Sequence, residues 1–331
     1  MGRPLDHIIL SRTDSIGDVM LTLPSAGLLK QRLPGVRITF IGRRYTLPVL
    51  SRCVHIDDSI ALEDLLDMGD AGAVSRLAAL RATAIVHVFP ERRVAAWAKH
   101  AGIGLRIGTS HRWWHWLTCN ERIPFSRRRS DLHEAQLNVK LLAPLGINAV
   151  PPLDELTRLS GFSAPRPEAS VAALVRPDRI NVVLHPLSKG SAVEWGLQRY
   201  AELIKALDPQ RHHAIITGTA AEAERYRLGL PLNLAHVADA GGRLDLHQLI
   251  ALIGASQALV AASTGPLHIA AACGITAIGL YADVRPIHPG RWGPIGARAH
   301  SLVAPPPQDS RDAVALIQAI TPQQVLALLP R

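Results

Sequence analysis

The chain has 331 residues, 48% of them hydrophobic and 19% charged, which suits two domains of roughly 150 residues each and excludes a mostly disordered protein. No apolar run reaches the ~18–20 residues that cross a bilayer, the first residues (MGRPLDHIILSR) lack the apolar stretch of a signal peptide, and Cys53, Cys119 and Cys273 lie too far apart for a disulfide scaffold or a structural zinc site. The net charge of +9 is concentrated in residues 92–129, where nine Lys or Arg face one acid, Glu121, and where four of the six tryptophans also fall (Trp97, Trp113, Trp114, Trp116). Such a segment points to an anionic partner, whether nucleic acid, a membrane surface or a phosphorylated substrate.

In chain order, His7 to Arg12, Val36 to Ile41 and Ala84 to Phe89 are predicted as buried strands, with helices over Val19 to Leu33 and Ala71 to Arg81. Pro151 to Pro177 holds five prolines and little periodicity, so it reads as an interdomain linker. The domains are accordingly placed at 1–160 and 179–331, with the linker at 161–178. Beyond it the alternation restarts, with strands at Ile180 to His185, His213 to Thr217, Ala258 to Ala261 and Thr276 to Leu280. Helices are expected over Leu197 to Leu207, Ala220 to Leu228, Asp245 to Ala255 and, led by a Thr N-cap and a proline, Thr321 to Leu329. Strand–helix alternation of this kind implies two parallel sheets wound on both faces, with ligands at the carboxyl ends of the strands.

The Walker phosphate loop, GxGxxG and HExxH are all missing; His111 and His115 share helical spacing but read as a surface pair. Three stretches stand out. Arg12 to Asp18 follows the first strand and opens a helix; Asp18 could take a proton from a substrate hydroxyl there, or Asp18 or Asp14 could simply cap the helix. His185 to Ser191 offers amides, hydroxyls and Lys189 to a phosphate, with Glu194 and Trp195 closing the loop, unless it is an ordinary turn. Ser263 to Ala272 puts Thr264 and Gly265 at a helix mouth, with Pro266 and then His268 in the first turn, where the unpaired N–H groups suit a diphosphate.

Taken in order, these stretches resemble glycosyltransferase family nine, the ADP-heptose:lipopolysaccharide heptosyltransferases. The resemblance is carried by RTDSIGDVMLTLP (12–24), HPLSKGSAVEW (185–195), GTAAE (218–222), STGPLHIAAA (263–272) and ADVRPIHPGRWGP (282–294). It implies an α/β chain of the GT-B fold, two Rossmann-like domains facing a cleft, with the acceptor in the first and the nucleotide-sugar in the second. It also implies an inverting transferase that needs no metal or other cofactor. By position, Asp18 matches the catalytic aspartate, Ser188 and Lys189 the donor phosphate loop, Glu222 a nucleoside contact, and Thr264, Gly265 and His268 the diphosphate site. Ser263 stands where many relatives place an acid against the donor sugar, and the loop lysine comes earlier than usual. The expected donor is an ADP-sugar and the expected acceptor a phosphorylated, lipid-linked saccharide at the cytoplasmic face of the inner membrane. Arg127, Arg128 and Arg129, with Trp113 and Trp114, are assigned to that acceptor or to the anionic membrane surface. The alternatives are an epimerase or transferase using another nucleotide-sugar, and a nucleic-acid-binding protein using the basic segment, which no zinc finger, RRM signature or helix-turn-helix accompanies.

Overall fold

The computed structural model describes residues 5–124, 126–127, 130–303 and 312–331. The chain divides into two compact units, Met1–Phe162 and Ser163–Arg331. In the first unit, β1 (His7–Ser11), β2 (Arg37–Gly42), β3 (Asp58–Ala61), β4 (Ala84–His87), β5 (Leu105–Thr109) and β6 (Glu121–Ile123) form one parallel sheet ordered β3-β2-β1-β4-β5-β6. In the second, β7 (Ile180–His185), β8 (His212–Ile216), β9 (Val237–Asp239), β10 (Ala258–Ala262), β11 (Thr276–Tyr281) and β12 (Ala299–Val303) form another, ordered β12-β11-β10-β7-β8-β9. Counted from each unit's own first strand, both follow the doubly wound order 3-2-1-4-5-6 of a Rossmann domain.

That order creates a switch point in each sheet, beside β1 and β4 in the first and beside β7 and β10 in the second. Chain leaving those strands departs to opposite faces, which opens a crevice at their carboxyl ends. The central strands are buried on both faces, as Ile8, Ile9 and Leu10 of β1 and Leu259 and Val260 of β10 show. This is why they read in sequence as continuous apolar runs rather than alternating ones.

Three sequence expectations need correction. The helix expected over Val19 to Leu33 is two helices, Ile16–Met20 and Leu23–Arg32. Pro24 has no N–H to give and clashes with a continuing ladder, so the second helix starts with the proline in its first turn. It also approaches its neighbour closely: a Cβ on Gly27 would collide with the Leu159 carbonyl. Of the linker expected at 161–178, residues from Ser163 on belong to the second unit, where Val171 of a short helix, Ala169–Ala172, and Leu174 beyond it are buried. Finally, His111 is exposed but His115 is fully buried, with Nδ1 3.0 Å from the Thr109 amide and its ring 5.6 Å from that of His87. They are not a surface pair. Burial, with His115 and Arg106 nearby, pushes His87 down to about 3, so it is neutral at ordinary pH.

Candidate functional site

The loop after β1 begins with Arg12, which is buried and holds three carboxylates. Its Nε donates to Asp14 Oδ1 at 2.8 Å, its Nη2 to Asp18 Oδ1, and its Nη1 to Glu134 Oε1 at 3.1 Å. Glu134, on the helix Glu134–Lys140, also accepts from Arg127 Nε at 2.9 Å, and Asn138 on the same helix accepts from both guanidiniums. Asn138 in turn donates to the Leu21 carbonyl and to Thr22 Oγ1, both at 3.2 Å, which ties the helix to the end of Ile16–Met20. A guanidinium is the group for such a place, since its fork can serve several carboxylates while staying charged. Burial alone would push Arg12 down; Asp18, Asp14 and Glu134 more than reverse this, and it is held above its ordinary range.

Neither Asp14 nor Asp18 caps the helix. The cap is Ser15, whose Oγ accepts from the Asp18 amide and donates to Asp18 Oδ2 at 2.6 Å. Asp18 is therefore fixed from two sides by Arg12 and Ser15, with its side chain still 16% exposed. Asp14 differs. Burial pushes its carboxyl up to about 6 from an ordinary 3.8, with Asp18 adding to the rise and Arg12 opposing it. Beside them the hydroxyls of Ser11 and Thr13 are buried without a hydrogen-bond partner.

The second unit gathers its residues at the ends of β7, β8 and β10. Thr264 is the N-cap of the helix Gly265–Ala272, yet its side chain makes no capping bond, and its Oγ1 is buried without a partner. Pro266 occupies the first turn, and His268 is buried one turn in. The helix mouth thus presents the positive end of the dipole and an idle hydroxyl, while the Thr264 and Leu267 amides are already bonded, to the Ala262 and Thr264 carbonyls. Ser263, just before it, hydrogen-bonds the buried Tyr281, whose hydroxyl donates to the Trp292 carbonyl at 2.7 Å.

After β7 the chain turns through Lys189 and Gly190, both in the left-handed region (φ 50° and 80°). Ser188 is engaged within the loop. Its Oγ is engaged with Glu194 and the Ala192 carbonyl, and its amide with Glu194 Oε1, so that Glu194 organises the loop from within. Trp195 anchors the loop through Nε1 to the Ile320 carbonyl at 2.9 Å. Lys189 is exposed. His185, buried beside Thr217 Oγ1 at 3.0 Å, is pushed down chiefly by burial; Glu222 opposes that and Lys189 adds to it, so both charges are close to it. Glu222 itself closes a capping box, with Oε2 accepting from Thr219 N at 2.7 Å and Thr219 Oγ1 at 2.9 Å. This structural role was not evident from its position in the resemblance.

The residues assigned to acceptor or membrane divide. Arg127 faces inward, onto Glu134, Asn138 and the Val88 carbonyl, because the buried Glu134 carboxylate draws in a second guanidinium. It joins the network that holds Asp18, with its side chain 21% exposed. Arg128 and Arg129 lie outside the described residues. Trp114 is half-buried, edge-on to Trp113 and His115, and its neighbours Trp113 and Trp116 take the exposed positions instead. Among the described residues, no group of three His, Cys, Asp or Glu side chains is placed to hold a metal ion, and no helix is long and apolar enough to cross a membrane.

The chain is similar to several known proteins. A Haemophilus influenzae protein whose name assigns it provisionally to the glycosyltransferases is 27% identical over 312 residues, 91% of this chain and 90% of its own. The glycosyl transferase family 9 structure from Veillonella parvula superposes with a TM-score of 0.78 at 17% identity, covering 99% of this chain and 97% of that one. The Escherichia coli ADP-heptose lipopolysaccharide heptosyltransferase II gives 0.75 at 19%, covering 98% and 97%. At such identities the two structures speak for the fold, a GT-B fold of two Rossmann-like units. The family model for glycosyltransferase family 9 (heptosyltransferase) matches residues 83–316, and the chain belongs to that family.

Proposed function

We propose that this glycosyltransferase moves a heptose, or a closely related sugar, from an ADP-sugar to a hydroxyl of a lipid-linked lipopolysaccharide core, with inversion and without a resident metal. The observation that carries the donor half is the mouth of the helix Gly265–Ala272. It lies beside the switch point of the second sheet with the Thr264 hydroxyl buried and unpartnered, and a diphosphate at the positive end of the helix would give that hydroxyl its partner. Lys189 supplies a cation at the end of β7, the neighbouring strand. Together they would take up the charge that grows on the departing diphosphate, the task a divalent cation performs elsewhere. The ADP-heptose name of the E. coli neighbour supports adenine and heptose as first choices.

In the acceptor half, Asp18 takes the proton of the acceptor hydroxyl. The oxygen attacks the anomeric carbon from the face opposite the diphosphate, the bond from that carbon to the phosphate oxygen breaks, and ADP leaves. Arg12 and Ser15 hold the carboxylate so that it need not reorganise as the proton arrives. Thermal unfolding in the presence of nucleoside diphosphates tests the donor assignment. ADP at about 100 times its dissociation constant should stabilise the protein by about 2.7 kcal/mol, with UDP and GDP inert. A preference for UDP or GDP would overturn the ADP-sugar assignment.

A further inference from the structure

The helix Trp113–Thr118 carries none of the residues given a part in the proposed transfer. Its inward face is buried through His115 and Thr118. Its outward face carries Trp113, Trp116 and Leu117, which are 58%, 60% and 63% exposed. These positions are spaced i, i+3 and i+4, so they form one apolar ridge. A single exposed aromatic is ordinary, but three large apolar side chains on one short helix turn are not.

Four cations lie around the ridge. Arg92 lies 4.9 Å from the centre of the Trp113 ring, Arg122 4.5 Å from that of Trp116, and Arg112 5.6 Å from that of Trp114. Arg122 also donates to the Cys119 carbonyl at 2.7 Å, and Lys99 to the Leu117 carbonyl at 2.9 Å. None of these four cations is in a salt bridge among the described residues. They are held by aromatic rings and carbonyl oxygens, which steady them without cancelling their charge. Trp116 is fixed as well, since Nε1 donates to the Ser110 carbonyl at 3.0 Å. The result is a pre-set apolar ridge framed by cations outside salt bridges.

We propose that this ridge docks the protein reversibly on an anionic lipid bilayer, with Trp113, Trp116 and Leu117 seated at the headgroup boundary and Arg92, Arg112 and Arg122 on lipid phosphates. Indole rings settle at that boundary, arginine can lie along it with its head in the phosphates, and each cation near an anionic surface adds attraction. Nucleic acid would use the cations, but it offers nothing to an aliphatic tip such as Leu117. The inference concerns where the protein works, and it stands apart from which sugar it transfers.

Sedimentation with vesicles tests it and needs neither donor nor acceptor. The protein should pellet with phosphatidylcholine vesicles containing phosphatidylglycerol, not with phosphatidylcholine alone, and release as salt rises. Tryptophan emission should shift to the blue on binding. Arg92→Ser and Arg112→Ser should each lower the partition coefficient about fivefold, and Leu117→Asp should lower it further, with unfolding midpoints unchanged because all three side chains are exposed. Pelleting that is absent, equal on both vesicle types or unaffected by Leu117→Asp overturns the proposal. So does competition by duplex DNA for the same ridge without any vesicle binding.

Discussion

Arg12 gives one nitrogen each to Asp14, Asp18 and Glu134, so these carboxylates act as a unit and their substitutions will not add. Asp18 has its two oxygens held by Arg12 and Ser15, and Asp18→Asn should lower turnover at least about 10²-fold while leaving donor affinity intact. Asp14 is the rival base, because its carboxyl titrates near pH 6. If Asp14→Asn carried the large loss in turnover and Asp18→Asn did not, the roles would be exchanged. Asp14 also makes a pH prediction of its own. Its folded value lies above its unfolded one, so the stability it contributes is fully present below pH 3.8 and is lost as pH rises through about 6. Urea unfolding of wild type and Asp14→Asn across that window should show the variant gaining on wild type as pH rises. A constant difference would mean that Asp14 titrates normally.

At the scale of elements, the helix Gly265–Ala272 gives the cleanest separation of folding from binding. Thr264 Oγ1 is buried and unpartnered in the free protein, so Thr264→Val should leave stability unchanged or slightly higher. If the hydroxyl donates to a phosphate, the same change should cost about 1.5–3 kcal/mol of ADP affinity, readable by calorimetry. Unchanged ADP affinity would remove Thr264 from the site. The elements legible in sequence are the interior ones. Ile180–His185 and Ala258–Ala262 are apolar runs buried on both faces, and Thr321 with its proline marked the last helix, which does have a capping box. The strands that went unread are mostly at the sheet edges: β3, β6, β9 and β12. Their residues are half-exposed and mixed, as in Glu121–Ile123 and Val237–Asp239, so neither a continuous run nor an alternation is visible.

For the molecule as a whole, each Rossmann-like unit puts its candidate residues at its own switch point, and those stretches were legible because a loop after a first strand is a local feature. Their partners were not. Arg12 and Glu134 are 122 residues apart, and nothing local to either announces the ion pair. Arg127 read as one more surface arginine because its basic neighbours in sequence outweigh the buried carboxylate it serves. The burial of an acid on the helix Glu134–Lys140 was the available signal, since a buried carboxylate needs a cation. The exposed ridge was half legible, in the tryptophan count but not in which rings face outward. The proposed reaction is transfer of a sugar from donor to acceptor. Its most direct test follows ADP release from ADP-heptose with and without a lipopolysaccharide core acceptor, with mass spectrometry of the acceptor. ADP should be released only when acceptor is present, matched by one heptose gained per ADP released. Release or isomerisation of the donor at the same rate without acceptor would contradict it and mark a hydrolase or epimerase.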